Sequence, residues 1–97
     1  MFTTIGEDEI IALLSSDDWK ERLRGEYYEV RIRYEKLKAY NNKAEIQRRM
    51  TPCYTEKVED ETSRGLMRDQ QDAMERYLHL LELRAELAGI TLYNFDE

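Results

Sequence analysis

Apolar positions along this chain recur at alternating steps of four and three over two long stretches, the spacing that lines one face of an α-helix. In the later stretch, from Leu66 to Ala88, one seam is formed by Met67, Gln71, Met74, Leu78, Leu81, Ala85 and Ala88. A second row runs directly beside it, through Leu66, Gln70, Ala73, Tyr77, Leu80, Arg84 and Leu87. Two adjacent rows make an apolar face wider than one partner helix covers. In the earlier stretch Leu23, Tyr27, Val30, Tyr34 and Leu37 step in the same way, flanked by Tyr28, Ile32 and Ala39. Seams of equal period and similar length predict two antiparallel helices joined by a polar loop.

The remaining segments fit around that hairpin. Glu7, Asp8 and Glu9 precede Ile10, Ile11, Leu13 and Leu14, as in a short helix whose first turn favours negative charge. Ser15 and Asp18 stand three apart as a capping box would, with Trp19 on the first turn of the next helix, where its ring can pack both helices onto the bundle. Asn41-Asn42 reads as a stop or a break. Gly25 marks either a close approach of another backbone or a tolerated weakness, and the second is the reading adopted. Thr51-Pro52 disfavours helix, Thr62 or Ser63 would cap the second long helix, and Gly89 with Ile90 fits a left-handed C-terminal cap. The expectation is one all-α domain over residues 1–97. It divides into a short acidic leading helix (1–16), a long basic helix (17–49), a loop (50–62), a second long helix (63–89) and a tail (90–97).

A lone hairpin would leave part of each wide face in water. Self-association into an oligomeric helix bundle is the expected repair, since a two-fold axis pairs each stripe with its own copy. Leu23, Tyr27, Val30, Tyr34, Leu37, Met67, Met74, Tyr77, Leu78 and Leu81 are the residues assigned to the core or to that oligomeric seam. Of these, Tyr27, Tyr34 and Tyr77 are read as core.

Composition agrees with this picture. With 37% charged residues, one proline and four glycines in 97 residues, and a mean hydropathy of −0.81, packed helices with long solvated faces are the natural outcome. The net charge of −6 is unevenly spread: residues 19–50 carry ten Lys or Arg against five Asp or Glu, whereas residues 1–18 sum to −5 and residues 51–97 to −6. One basic helix is thus surrounded by acidic segments. The single Cys53 fits a reducing compartment. No basic-then-apolar leader opens the chain and no apolar run reaches membrane-spanning length, so a cytoplasmic location without membrane contact is expected.

Catalytic chemistry finds no support. The one histidine, His79, lies one position off the seam, Cys53 has no partner, and no His/Cys cluster has metal-ligand spacing. Neither a phosphate loop nor a nucleotide fold is legible. A binding protein without cofactor, metal or enzymatic activity is expected.

The stretches EYYEVRIRYEKLKAY, Glu26 to Tyr40, and LMRDQQDAMERYLHLLELRAE, Leu66 to Glu86, resemble a group of short helical-hairpin proteins of phages and prophages, including crAss-like phages. The likeness covers about 60 residues and rests on Glu29, Arg33 and Leu37 in the first helix and on Leu66, Gln70, Met74, Tyr77, Leu81 and Arg84 in the second. That group has no agreed biochemical role. What the resemblance implies is a phage accessory protein, acting in the bacterial host cell, of the size that often disarms an antiviral defence.

Two binding functions follow. In the first, an oligomer sequesters an anionic, cyclic-nucleotide immune signal. Lys20, Arg24, Arg31, Arg64 and Arg68 would clamp phosphates and Tyr28 would stack on a base. In the second, the protein inhibits a bacterial defence complex in the anti-CRISPR manner, its acidic segments at Glu7 to Glu9 and Glu56 to Glu61 imitating a nucleic-acid backbone. A structural or DNA-handling accessory role is a third possibility, and direct nucleic-acid binding is disfavoured by the acidic net charge. The first function is preferred, because a basic aromatic helix would be repelled by the basic grooves that a mimic must enter.

Overall fold

The computed structural model describes residues 6–50 and 61–92. Three helices account for nearly all of them: α1 (Glu7–Leu14), α2 (Trp19–Met50) and α3 (Glu61–Ala88). They form an elongated body 54 Å long and 23 Å across. Both α1 and α3 pack on α2. The expected loop, from residue 51 to residue 60, and the end of the tail lie outside the described residues.

Helices α2 and α3 run antiparallel in one fixed register. Tyr27 bonds to Glu82, Tyr34 to Glu75, Arg64 to Glu45 and Arg48 to Glu61, and in each pair the two residue numbers sum to 109. A constant sum over the length of both helices means that neither slips against the other. The seams meet as expected: Leu23, Tyr27 and Tyr34 from α2 are buried with Leu78, Leu81 and Ala85 from α3, and Val30 and Met74 pack partly buried against them. Leu37 and Met67 are half-buried along the same line. Tyr77 departs from the expectation of a core residue. It lies in the second row, which α2 does not cover, and is exposed with Leu66, Leu80 and Leu87.

The break expected at Asn41-Asn42 does not occur, and α2 continues to Met50. The physical reason is that Asn41 occupies a seam position and turns its polarity inward. Its Nδ2 donates to Gln71 Oε1 at 2.8 Å and to the Met67 carbonyl at 3.2 Å. Helix α3 is already under way at Glu61, so Thr62 and Ser63 are helical residues rather than caps.

The start of α2 also differs from the expected Ser15–Asp18 box. The Ser15 backbone N–H closes α1 by donating to the Ile11 carbonyl, which leaves Asp18 as the cap. Asp18 Oδ1 accepts from the Lys20 N–H at 3.0 Å, and Ser16 Oγ accepts from the Asp18 N–H at 3.1 Å. This tight turn folds α1 back onto α2 at Gly25. A Cβ at that glycine would meet Leu13 Cβ, Leu14 Cγ and the Leu14 backbone nitrogen at 3.0 Å. Gly25 therefore marks a close helix approach and not a mere weakness. It stands two residues from both Leu23 and Tyr27, hence about 200° round the helix from each, so α1 covers the side of α2 that α3 leaves open. At the far end Gly89 adopts φ +70°, Ile90 N–H donates to the Ala85 carbonyl at 2.8 Å and Gly89 N–H to the Glu86 carbonyl at 3.2 Å. This double bond pattern is the expected left-handed cap. It turns Ile90 into the core beside Ile10 and Tyr28.

Trp19 lies on the first turn of α2 but does not clamp the helices together. Its ring is half-exposed, with Lys20 Nζ 6.0 Å from its centroid. Its emission should therefore be red-shifted and readily quenched by iodide or acrylamide in the native protein. Burial separates two neighbouring leucines on α3 more sharply. Leu81→Ala should cost about 2–5 kcal/mol in urea unfolding, because Leu81 is fully buried, whereas Leu80→Ala in the monomeric fold should stay within about 0.5 kcal/mol.

Candidate functional site

The two ends of the hairpin are chemically different. At the end where α1 packs, the core is apolar and aromatic: Tyr27 and Tyr28 meet edge-to-face with centroids 5.8 Å apart, and Leu81 fills the space between the helices. At the other end the seam turns polar. Asn41 and Arg64 are both buried there, at 5% and 2% exposure.

The polar end is built on two carboxylates, each shared by two arginines. Glu45 accepts from Arg49 Nε at 2.8 Å through one oxygen and from Arg64 Nη2 at 3.3 Å through the other. Glu61 lies 2.6 Å from Arg48 Nη2 and 4.0 Å from Arg68 Nη2. The helical period explains the grouping. Arg48 and Arg49 stand together one turn beyond Glu45 on α2, and the fixed register sets Glu61, Arg64 and Arg68 of α3 opposite them. Four guanidinium groups against two carboxylates leave a local charge of +2. The hydrogen bond from Arg49, with the charge of Arg64 added to it, holds the Glu45 carboxyl below its usual range. Arg48, Arg49 and Arg68 are exposed and present their remaining N–H donors to solvent. Arg64 is sealed behind Glu45, and its Nε and the Asn41 Oδ1 are buried without a hydrogen-bond partner.

The residues expected to clamp a ligand are therefore not gathered together in one chain. Arg64 and Arg68 belong to the polar end. Lys20, Arg24 and Tyr28 belong to the aromatic end and Arg31 stands nearer the middle of α2; in this register Arg24 lies about 30 Å along the helix from the level of Arg64, and Arg31 about 15 Å from the level of Arg68. The two arginines of this group are already engaged. Arg24 is paired with Glu21 and donates to the Thr91 carbonyl at 3.1 Å, while Arg31 is held between the Tyr27 hydroxyl and Glu35. Tyr28 is 0% exposed, so its ring offers no open face for a base. A groove of about 460 Å³ does lie between α1 and α2, lined by Glu9, Ala12, Leu13, Ser16, Glu21, Arg24 and Tyr28. Its two carboxylates outnumber its one guanidinium, which makes it a poor place for an anion.

Sequence reasoning missed Arg48, Arg49 and Asn41. The signal was present in the basic pair that ends α2, but its meaning depends on the register that brings Glu61 and Arg68 alongside. Among the described residues, no group of three or more His, Cys, Asp or Glu side chains is placed to hold a metal ion, and no helix is long and apolar enough to cross a membrane.

A family model described as Sequestin matches residues 17–87 of the chain. The chain belongs to the Sequestin family. The matched span begins just before the Asp18 cap and ends in the last turn of α3, so it takes in the whole hairpin, both arginine-shared carboxylates and the Tyr–Glu bonds, and leaves α1 outside. The family name points to a sequestering function. No curated protein and no solved structure matches the chain.

The Tyr–Glu bonds of the hairpin make a spectroscopic prediction. Burial raises the Tyr27 phenol above its ordinary value, and the hydrogen bond it donates to Glu82 raises it further; burial and the charge of Glu75 do the same to Tyr34. Both groups ionise later in the folded chain than in the unfolded one. Their stabilising contribution is therefore complete below the unfolded value near 10 and is lost as pH rises through the folded value. Absorbance titration of the tyrosinate band should show two late phenols, and Glu82→Gln should bring one of them forward.

Proposed function

We propose that this protein sequesters an anionic nucleotide, of the cyclic immune-signal class, as a phage accessory protein that antagonises a bacterial antiviral defence, and that it does so by binding and without catalysis. The observation that carries this reading is the polar end of the hairpin, where four arginines share two carboxylates. An arriving phosphate displaces Glu45 or Glu61 from Arg48, Arg49 and Arg68 and accepts charge-assisted hydrogen bonds in their place. A ligand with two phosphates would engage both shared carboxylate positions. Membership of a family named for sequestration supports the same reading. The further residues expected on sequence grounds, Lys20 and Arg24 at the opposite end of the hairpin and Arg31 near the middle of α2, do not meet the arginine cluster within one chain, so a site that used both groups would need two copies in an oligomer.

Charge-assisted hydrogen bonds contribute about 1.5–3 kcal/mol each. Cyclic di- and trinucleotides and ADP-ribose derivatives, tested by calorimetry and thermal shift, should include ligands that raise the melting temperature and whose affinity falls as salt rises. Arg48→Glu with Arg68→Glu should abolish that binding while circular dichroism still shows the helices, since both side chains are exposed. If no nucleotide binds, and bacterial lysate instead yields a stoichiometric protein partner whose capture is lost on neutralising Glu59, Asp60 and Glu61, the inhibitor reading replaces this one.

A further inference from the structure

The hairpin leaves one ridge of α3 uncovered. Leu66, Ala73, Leu80 and Leu87 stand seven residues apart along it, with Asp69, Arg76 and Leu83 on one side and Gln70, Tyr77 and Arg84 on the other. Leu66 is 64% exposed, Leu80 44%, Leu83 51%, Leu87 90% and Tyr77 38%. Helix α3 packs on α2 alone, through the seam about a quarter-turn away, and α1 does not reach it. A row of three leucines and one alanine at a strict seven-residue spacing is the pattern of a helix that meets another helix lengthwise.

We infer that this ridge is the interface with a second copy of the chain, the two α3 helices lying antiparallel about a two-fold axis through Ala73. The charges on the ridge choose both the occupant and the register. In an antiparallel pair the same flank of each helix faces itself across the axis. With Ala73 opposite Ala73 of the second copy, Leu66 falls opposite Leu80, Asp69 opposite Arg76 and Gln70 opposite Tyr77, each twice by symmetry. Both leucine contacts are then matched and both Asp–Arg pairs are of opposite sign. Shifting one copy by one heptad brings Leu66 opposite Leu87, but it sets Arg76 against its own copy and leaves Asp69 facing Leu83. The small side chain at the axis also lets the backbones approach closely, as Gly25 does where α1 crosses α2. This interface rests on the apolar ridge and not on the arginine cluster, so it stands or falls separately from nucleotide binding. It supplies the second copy that the proposed sequestering oligomer calls for.

Sedimentation equilibrium with circular dichroism tests it. The unmodified chain should sediment as a dimer or an even multiple, and Leu80→Glu should convert it to a monomer with unchanged helix content, because Leu80 is on the surface of the monomeric fold. Asp69→Arg should weaken the association, and Asp69→Arg combined with Arg76→Asp should restore it. With Cys53→Ser as background, Ala73→Cys should oxidise to a covalent dimer and Ile46→Cys should not. A monomeric unmodified chain, or an association untouched by Leu80→Glu, overturns the interface. Self-linking through Tyr77→Cys in place of Ala73→Cys overturns the register.

Discussion

Everything in this molecule depends on the register of α3 against α2. Heptad-like seams of Leu, Tyr and Met can slide by a turn at little cost, because one apolar contact replaces another. The polar bonds cannot. Tyr27 and Tyr34 each extend a ring through the seam and deliver a hydroxyl to a glutamate on the rim of α3, at 2.8 Å and 3.2 Å. Asn41 completes the series at the next seven-residue step by bonding to Gln71 and to the backbone of Met67. A buried asparagine in a helical seam costs least in the register that pairs its amide N–H donors, which is how such residues specify alignment. Displacement by one turn would strand the amide and separate both phenols from their acceptors.

The ends of the hairpin divide the work between them. At the aromatic end, α1 and the turn at Gly89 close the core from two sides, and the cap returns the chain so that Ile90 joins Ile10 and Tyr28. Gly25 permits this, since any side chain there would meet the backbone of Leu14. At the polar end no third helix covers the seam among the described residues. Its contacts are ion pairs, several of them exposed, which contribute little to stability individually, and two buried polar atoms remain unmatched. An end with few apolar contacts opens at lower free energy than a closed core. The arginine-shared carboxylates thus occupy the part of the fold best able to rearrange around a ligand.

The charge pattern of the chain follows from this arrangement. Part of the basic excess on α2 is used within the protein: Arg24 by Glu21 and a backbone carbonyl, Arg31 by Tyr27 and Glu35, Arg33 by Glu29. Where α2 runs beside the start of α3, arginines from both helices outnumber the described carboxylates between them. An acidic protein can therefore carry a local anion-binding surface without becoming a general binder of nucleic acid, whose long backbone would meet repulsion everywhere else. That combination suits a protein that captures a small anion from solution.

The helical class, the antiparallel hairpin, the two seams, the short acidic leading helix and the left-handed cap at Gly89 were legible in the sequence, because period, propensity and capping are local properties that tens of residues express together. What those signals could not contain was which polar residues face each other across the hairpin. Asn41 reads locally as a helix breaker and is instead a seam residue held by Gln71. Tyr28 reads as a stacking ring and is enclosed by α1; Gly25 reads as a weakness and is the crossing point. The arginines expected to converge are spread about 15 to 30 Å along the hairpin, while Arg48 and Arg68 gain a shared site from a carboxylate on the first turn of α3. Each of these outcomes turns on a contact between residues distant in sequence. Periodicity reports which face a side chain is on, and only the packed register decides what that face meets.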